Sequence, residues 1–150
     1  MTLGGLKDMS KNELQIRSFC EHDIDLVVAL WKDFFREDPH WNDPRKIIRG
    51  KLQIQPELFL VGIFENQLIA TVMGGFDGFR GWVYHLAVTP NMRKRGFGKK
   101  MMQTLEKKLM ELGCHKINLQ VRELNRGVVE FYESLGYEVE DRISMGKRLK

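Results

Sequence analysis

The chain is poor in cysteine, in proline and in unbroken apolar stretches, with 2 cysteines and 4 prolines in 150 residues. Cys20 and Cys114 stand far apart and lack CxxC spacing, which sets aside a disulfide-stapled scaffold and a cysteine-based metal centre. They read as reduced thiols of a cytoplasmic protein, and no metal is expected. No run of 18 apolar residues occurs, so no helix is expected to span a bilayer and no membrane partner is expected. The opening MTLGGLKDMSKNE carries Lys7, Asp8, Lys11 and Glu13 where a signal peptide needs an apolar core. Charge of one sign is not in large excess either: 24 Lys and Arg face 20 Asp and Glu, a formal net charge of +4. Non-specific binding to nucleic acid usually needs a denser basic stripe with stacking aromatics, so no nucleic-acid partner is expected.

What is present, 43% apolar and 29% charged residues, suits one folded domain with a real core. Residues 1–12 read as a flexible N-terminal tail and 13–150 as a single domain. LQIRSF, 14–19, alternates as a short strand. From His22 to Arg36 the apolar residues fall at helical intervals, with Asp23 placed to cap the helix. Pro44 suits the first position of a second helix reaching about Gln53. LFLVGIF, LIATVMGGF and GWVYHLAV, at 58–64, 68–76 and 81–88, form an antiparallel meander. Phe97, Met101, Met102, Leu105, Leu109 and Leu112 make the stripe of a long helix stopped by Gly113. KINLQV, 116–121, is a strand, a short helix follows Asn125, and YEVEDRISMGKRL suggests a closing hairpin. A helix linking two strands normally makes them parallel neighbours. The expected fold is an α/β (α+β) mixed sheet, mostly antiparallel, with one splayed parallel pair and helices on both faces.

The most informative stretch is VTPNMRKRGFGKKMM, 88–102, where cations surround two glycines at the mouth of a helix. The first amides of a helix lack intrahelical partners and carry partial positive charge, so they suit an oxyanion. Gly96 and Gly98 would let a pyrophosphate approach the backbone closely. The Walker pattern fails, because Arg93 stands at its first glycine and Lys100 follows Lys99. The dinucleotide fingerprint fails as well, with Met101 at its third glycine.

LAVTPNMRKRGFGKKMM followed by LQVRELNRGVVEFYESLGY resembles the GNAT superfamily of acetyl-CoA-dependent N-acyltransferases. Element order extends the resemblance over nearly the whole chain. WNDP at 41–44, TVMGGFDGFRG at 71–81 and LEKKL at 105–109 look closest to small bacterial members of the YpeA type. The resemblance implies that Arg93, Lys94, Arg95, Gly96, Phe97, Gly98 and Lys99 hold the pyrophosphate of acetyl-CoA. It implies that Leu86, Ala87 and Val88 bond the pantetheine arm through their backbones, in the manner of an added strand. Asn125 matches an asparagine beside the coenzyme, and Tyr132 a tyrosine that gives a proton to the departing thiolate. With a phenol pKa of about 10 against about 8.5 for the thiol, that transfer is read as downhill, with no perturbed tyrosine required. The second substrate is an amine acceptor, either a small molecule or a peptide N-terminus. A homodimer is compatible with this pattern.

Some members carry LEVRxxN where this chain has LQVRELN, which puts Gln120 at their glutamate. An amide takes no proton at neutral pH, so ordered water helped by His85 or Glu123 is the expected route. Neutralising a lysine amine at pH 7 costs about 4.6 kcal/mol, an α-amino group about 1 to 1.4 kcal/mol. A site without a carboxylate base therefore favours the less basic amine. The rival class is a non-catalytic acyl-CoA-binding or regulatory module. Without the family match, Asn125 would pass as an ordinary helix cap and Tyr132 as a core tyrosine.

Overall fold

The computed structural model describes residues 12–35 and 41–150. The expected tail up to residue 11 and Arg36, the last residue of the first predicted helix, lie outside those residues. The chain divides into two compact units, one ending at Leu119 and the other running from Gln120 to Lys150.

In the first unit, five strands pair in chain order. They are β1 (Gln15–Ser18), β2 (Phe59–Phe64), β3 (Gln67–Phe76), β4 (Gly81–Val88) and β5 (Ile117–Leu119). All neighbours are antiparallel except β4 and β5, which are parallel, as the intervening helix demands. Glu65 and Asn66, both with positive φ (49° and 64°), form the tight turn between β2 and β3. That pair of left-handed residues matches the twist of the two strands it joins.

Strand alternation decides which helix each side chain meets. Val61 of β2 and Met73 of β3 point to one face, where they join Val27, Val28, Leu30 and Trp31 of α1 (Ile24–Phe34) and Ile48 of α2 (Pro44–Gln53). Their neighbours Gly62 and Gly74 point to the opposite face, against α3 (Phe97–Glu111). A Cβ on Gly74 would stand 2.5 Å from Leu105 Cδ1, so the missing side chain is what lets α3 lie this close. Phe97, Met101, Met102, Leu105 and Leu109 of α3 are buried, each worth about 1.5–3 kcal/mol for a side chain of that size. Gly113, at φ +91°, ends the helix as expected.

Pro44 opens α2 as expected, with Asp43 accepting from the Arg45 N–H at 3.2 Å. Asp23 does not cap α1 with its side chain; its carboxylate reaches back to Arg17 and to the Cys20 N–H. In the second unit, a 3-10 segment (Glu123–Val128) leads into α4 (Val129–Ser134). The predicted cap at Asn125 is not formed: Asn125 sits inside the 3-10 segment as a kink (φ −108°, ψ 29°), and Val128 takes the cap position.

The closing hairpin is also absent, since residues 137–150 form no strand. Val139, Ile143, Met145 and Leu149 are 77–91% exposed there. An alternating pattern becomes a strand only when a partner ladder and a buried face reward it. The charges at Glu138, Glu140, Asp141, Arg142, Lys147 and Arg148 make exposure cheap.

Candidate functional site

The start of α3 is built as an open turn. Lys94 and Gly96 both take left-handed backbone, at φ +61° and +81°, and Gly96 is the residue preceding the helix. The first intrahelical bond comes from Lys100, whose N–H donates to the Gly96 carbonyl at 3.1 Å. The amides of Phe97, Gly98 and Lys99 precede that bond, so the helix itself gives them no acceptor. A side chain at Gly96 would meet nothing within 4 Å, which makes its φ, not crowding, the reason for glycine.

The cations around this turn divide into two kinds. Arg93 lies 4.6 Å over the Phe34 ring and its Nε donates to the Val88 carbonyl at 3.4 Å. Arg95 lies 4.9 Å from the Phe64 ring centroid and 5.3 Å from that of Phe97. Both guanidinium groups, though on exposed residues, therefore sit within cation–π range of aromatic rings. Lys94, Lys99 and Lys100 are exposed.

β4 supplies the second half of this site. It pairs with β5 only through Gly81, Trp82 and Val83, so the rest of that edge has no β5 partner. The Gly81 N–H donates toward β5, to the Lys116 carbonyl at 2.9 Å, whereas the Thr89 N–H donates toward β3, to the Ile69 carbonyl at 2.8 Å. In a regular strand two residues eight apart would face the same way. An extra residue in β4 reverses them, and the pairing shifts between Tyr84–Met73 and Ala87–Thr71. His85, at φ +53°, is where the strand leaves extended geometry.

Beyond this bulge, Ala87 faces β3, and the backbone groups of Leu86 and Val88 face away from it. The three residues expected to act alike are thus split: Leu86 offers its N–H and C=O and Val88 its N–H on the unpaired edge, the Val88 C=O is taken by Arg93, and Ala87 faces the sheet. Thr71, which the sequence reading passed over, holds the bulge: its Oγ1 donates to the His85 carbonyl at 3.0 Å and accepts from Trp31 Nε1 at 2.9 Å. A buried threonine in an apolar strand is the only sequence signal of this role. Thr89 was likewise missed; its Oγ1 is buried with no hydrogen-bond partner among the described residues.

Two expected residues belong to the second unit. Tyr132 on α4 is half-buried beside Phe131 and Tyr137, with ring centroids 5.1 and 5.8 Å away. Burial pushes its phenol up to about 12. The sequence reading of a downhill proton transfer needs correcting on reference values alone, since donation from about 10 to about 8.5 is uphill by about 2 kcal/mol. At about 12 the gap becomes about 5 kcal/mol, so burial makes full proton transfer from this phenol to a free thiolate harder still. Asn125 is exposed, and its N–H donates to the Arg122 carbonyl at 2.8 Å.

The groups considered for the amine's proton are all engaged. Gln120 Nε2 donates to Ser144 Oγ. Glu123 pairs with Arg126 at 3.3 Å on the surface. The His85 ring is held between Trp31 and Phe35, with centroids 4.4 and 4.6 Å away. Elsewhere, ligand atoms of Cys20, His22 and Asp23 lie within 4.8 Å of one another. Both Asp23 oxygens accept from Arg17 there, so a cation would have to displace a guanidinium.

Comparison with known proteins agrees with this architecture. The acetyltransferase (GNAT) family model matches residues 24–137. An acetyltransferase of Yersinia enterocolitica is 46% identical over 138 residues, which cover 91% of this chain and 96% of that one. A predicted acetyltransferase of Clostridium acetobutylicum, solved with acetyl-CoA, superposes with a TM-score of 0.71 at 22% identity, over 90% of this chain and 96% of that chain. The structure of AAC(6')-Iy with a bisubstrate analogue superposes with a TM-score of 0.76 at 15% identity, over 91% and 99%. The last two likenesses concern the fold alone. Profile match and sequence identity together establish that the chain belongs to the acetyltransferase (GNAT) family.

Proposed function

We propose that this chain is an N-acetyltransferase that moves the acetyl group of acetyl-CoA directly to a primary amine of a small molecule or peptide, within a ternary complex. The observation that carries the reading is the half-paired β4, whose turned-out Leu86 and Val88 lead along the chain to the open amides of α3. Acetyl-CoA is a substrate here, supplying an activated thioester. Leu86 and Val88 bond its pantetheine arm, and the amides of Phe97, Gly98 and Lys99 after Gly96 take its pyrophosphate. Lys94 and Lys99 add positive charge, with Arg93 and Arg95 behind them. Asn125 contacts the coenzyme. No metal takes part. The family match runs across the division after Leu119, which supports reading 13–150 as one domain. A cytoplasmic location completes the reading, with which a homodimer is compatible.

The chemistry balances without a covalent enzyme intermediate. The neutral amine attacks the carbonyl carbon, and an outward amide of β4 stabilises the oxyanion. The C–S bond then breaks, and Tyr132 donates toward the departing sulfur. The amine's extra proton leaves through ordered water, with His85 or Glu123 assisting, because Gln120 cannot accept it. AAC(6')-Iy was captured with coenzyme A and acetylneamine joined in one molecule, which supports direct transfer between two bound substrates. Gln120 also favours a second reading, a coenzyme-binding module without turnover.

An amine and peptide screen with acetyl-CoA, read by free thiol and by product mass, separates the two. Acetylated product that forms at least about tenfold more slowly in Tyr132→Phe supports transfer. Coenzyme binding with no product from any acceptor class supports the module.

A further inference from the structure

We propose that Trp31 and Thr71 are positioning residues for acyl transfer, because their hydrogen-bond relay from α1 through β3 holds the β4 bulge that aims the Leu86 and Val88 amides. The inference rests on the function proposed above and adds to it two residues that lie outside the basic turn in the chain.

The relay has a fixed direction. An indole N–H can only donate, so Trp31 Nε1 donates to Thr71 Oγ1 at 2.9 Å. The single hydroxyl proton of Thr71 is then left for the His85 carbonyl at 3.0 Å. Trp31 is 1% exposed and Thr71 0%, so water does not substitute for either partner. A valine would fill the threonine's space equally well if packing were the purpose.

What the relay holds is strained. A non-glycine residue in left-handed backbone costs about 1–3 kcal/mol and persists only when its surroundings enforce it. His85, at φ +53°, is enforced three ways. Its carbonyl is taken by Thr71, and its ring is held by Trp31 on one side and Phe35 on the other. Trp31 thus grips the bulge twice, through its N–H by way of Thr71 and through its ring directly. Without the extra residue, Leu86 and Val88 would turn toward β3, and Ala87 would turn outward in their place.

The test compares Thr71→Val, which keeps shape and removes the relay, with Thr71→Ser, which restores the hydroxyl, and Trp31→Phe, which keeps a ring and removes the N–H. Wild-type coenzyme binding by calorimetry and turnover with an acceptor from the screen are measured first. A misaimed donor should lower kcat by about tenfold or more in Thr71→Val and Trp31→Phe. Coenzyme affinity should change less, because α3 is untouched, and Thr71→Ser should recover most of the rate. If Thr71→Val does not fold, Trp31→Phe against Thr71→Ser makes the same comparison. If the wild type binds and turns over while the relay variants keep kcat within twofold below their melting temperatures, the positioning role is overturned and the enzymatic reading stands. If the wild type neither binds nor turns over, both fall.

Discussion

Replacing Tyr132 by phenylalanine removes one oxygen and leaves the ring contacts with Phe131 and Tyr137 in place. Burial holds the phenol at about 12, against about 10 for a free tyrosine. The neutral form is thus favoured in the folded state. Its stabilising contribution is fully present below pH 10 and is lost as pH rises toward 12, amounting to about 2.7 kcal/mol across that interval. Phenolate absorbance gives the direct assay. The chain has 3 tyrosines, and the titration of wild type minus that of Tyr132→Phe isolates one phenol. The expected midpoint is near 12. In turnover, losing a donor to a developing thiolate should cost about 1.5–3 kcal/mol, or roughly ten- to hundredfold in kcat, with little change in KM for acetyl-CoA. A midpoint near 10, or a variant keeping more than half of wild-type kcat, refutes the role argued for this group.

Asp23 is buried and accepts from Arg17 at 2.7 and 2.9 Å and from the Cys20 N–H at 2.9 Å. The hydrogen bond from Arg17 holds its carboxyl below the usual range, so its contribution is present above about pH 4 and lost as pH falls through the lowered pKa. Asp23→Ala should cost about 3 kcal/mol in urea denaturation at pH 7, and the difference from wild type should shrink on acidification. Thr89→Val should leave stability unchanged or raise it by about 1 kcal/mol, since it removes an unpartnered buried hydroxyl; thermal melting reports it. Gly96→Ala forces a Cβ into left-handed backbone, so it should lose about 1 kcal/mol of stability by the same measurement and weaken coenzyme A binding.

Much of the fold could be read in advance because its periodicities are enforced by burial. The stripe from Phe97 to Leu109 became α3, and LFLVGIF and LIATVMGGF became β2 and β3, since each buries one or both faces. YEVEDRISMGKRL has the same alternation but no burial to fix it, and it stays out of the sheet. The glycine-basic turn was legible because Gly96 serves a backbone need visible in any sequence. The bulge was not. Nothing local in VYHLAV requires a left-handed histidine, and its cause lies in Trp31 and Thr71, 54 and 14 residues earlier in the chain. The ring contacts of Arg93 and Arg95 were hidden for the same reason, since Phe34 and Phe64 come from other elements.

In the proposed function, the outward amides of β4 and the first amides of α3 together receive coenzyme A. Calorimetric titration of coenzyme A into the wild-type chain at low ionic strength tests it most directly. Saturable one-to-one binding that weakens with added salt and in Gly96→Ala is expected. Absence of binding at millimolar coenzyme A contradicts it.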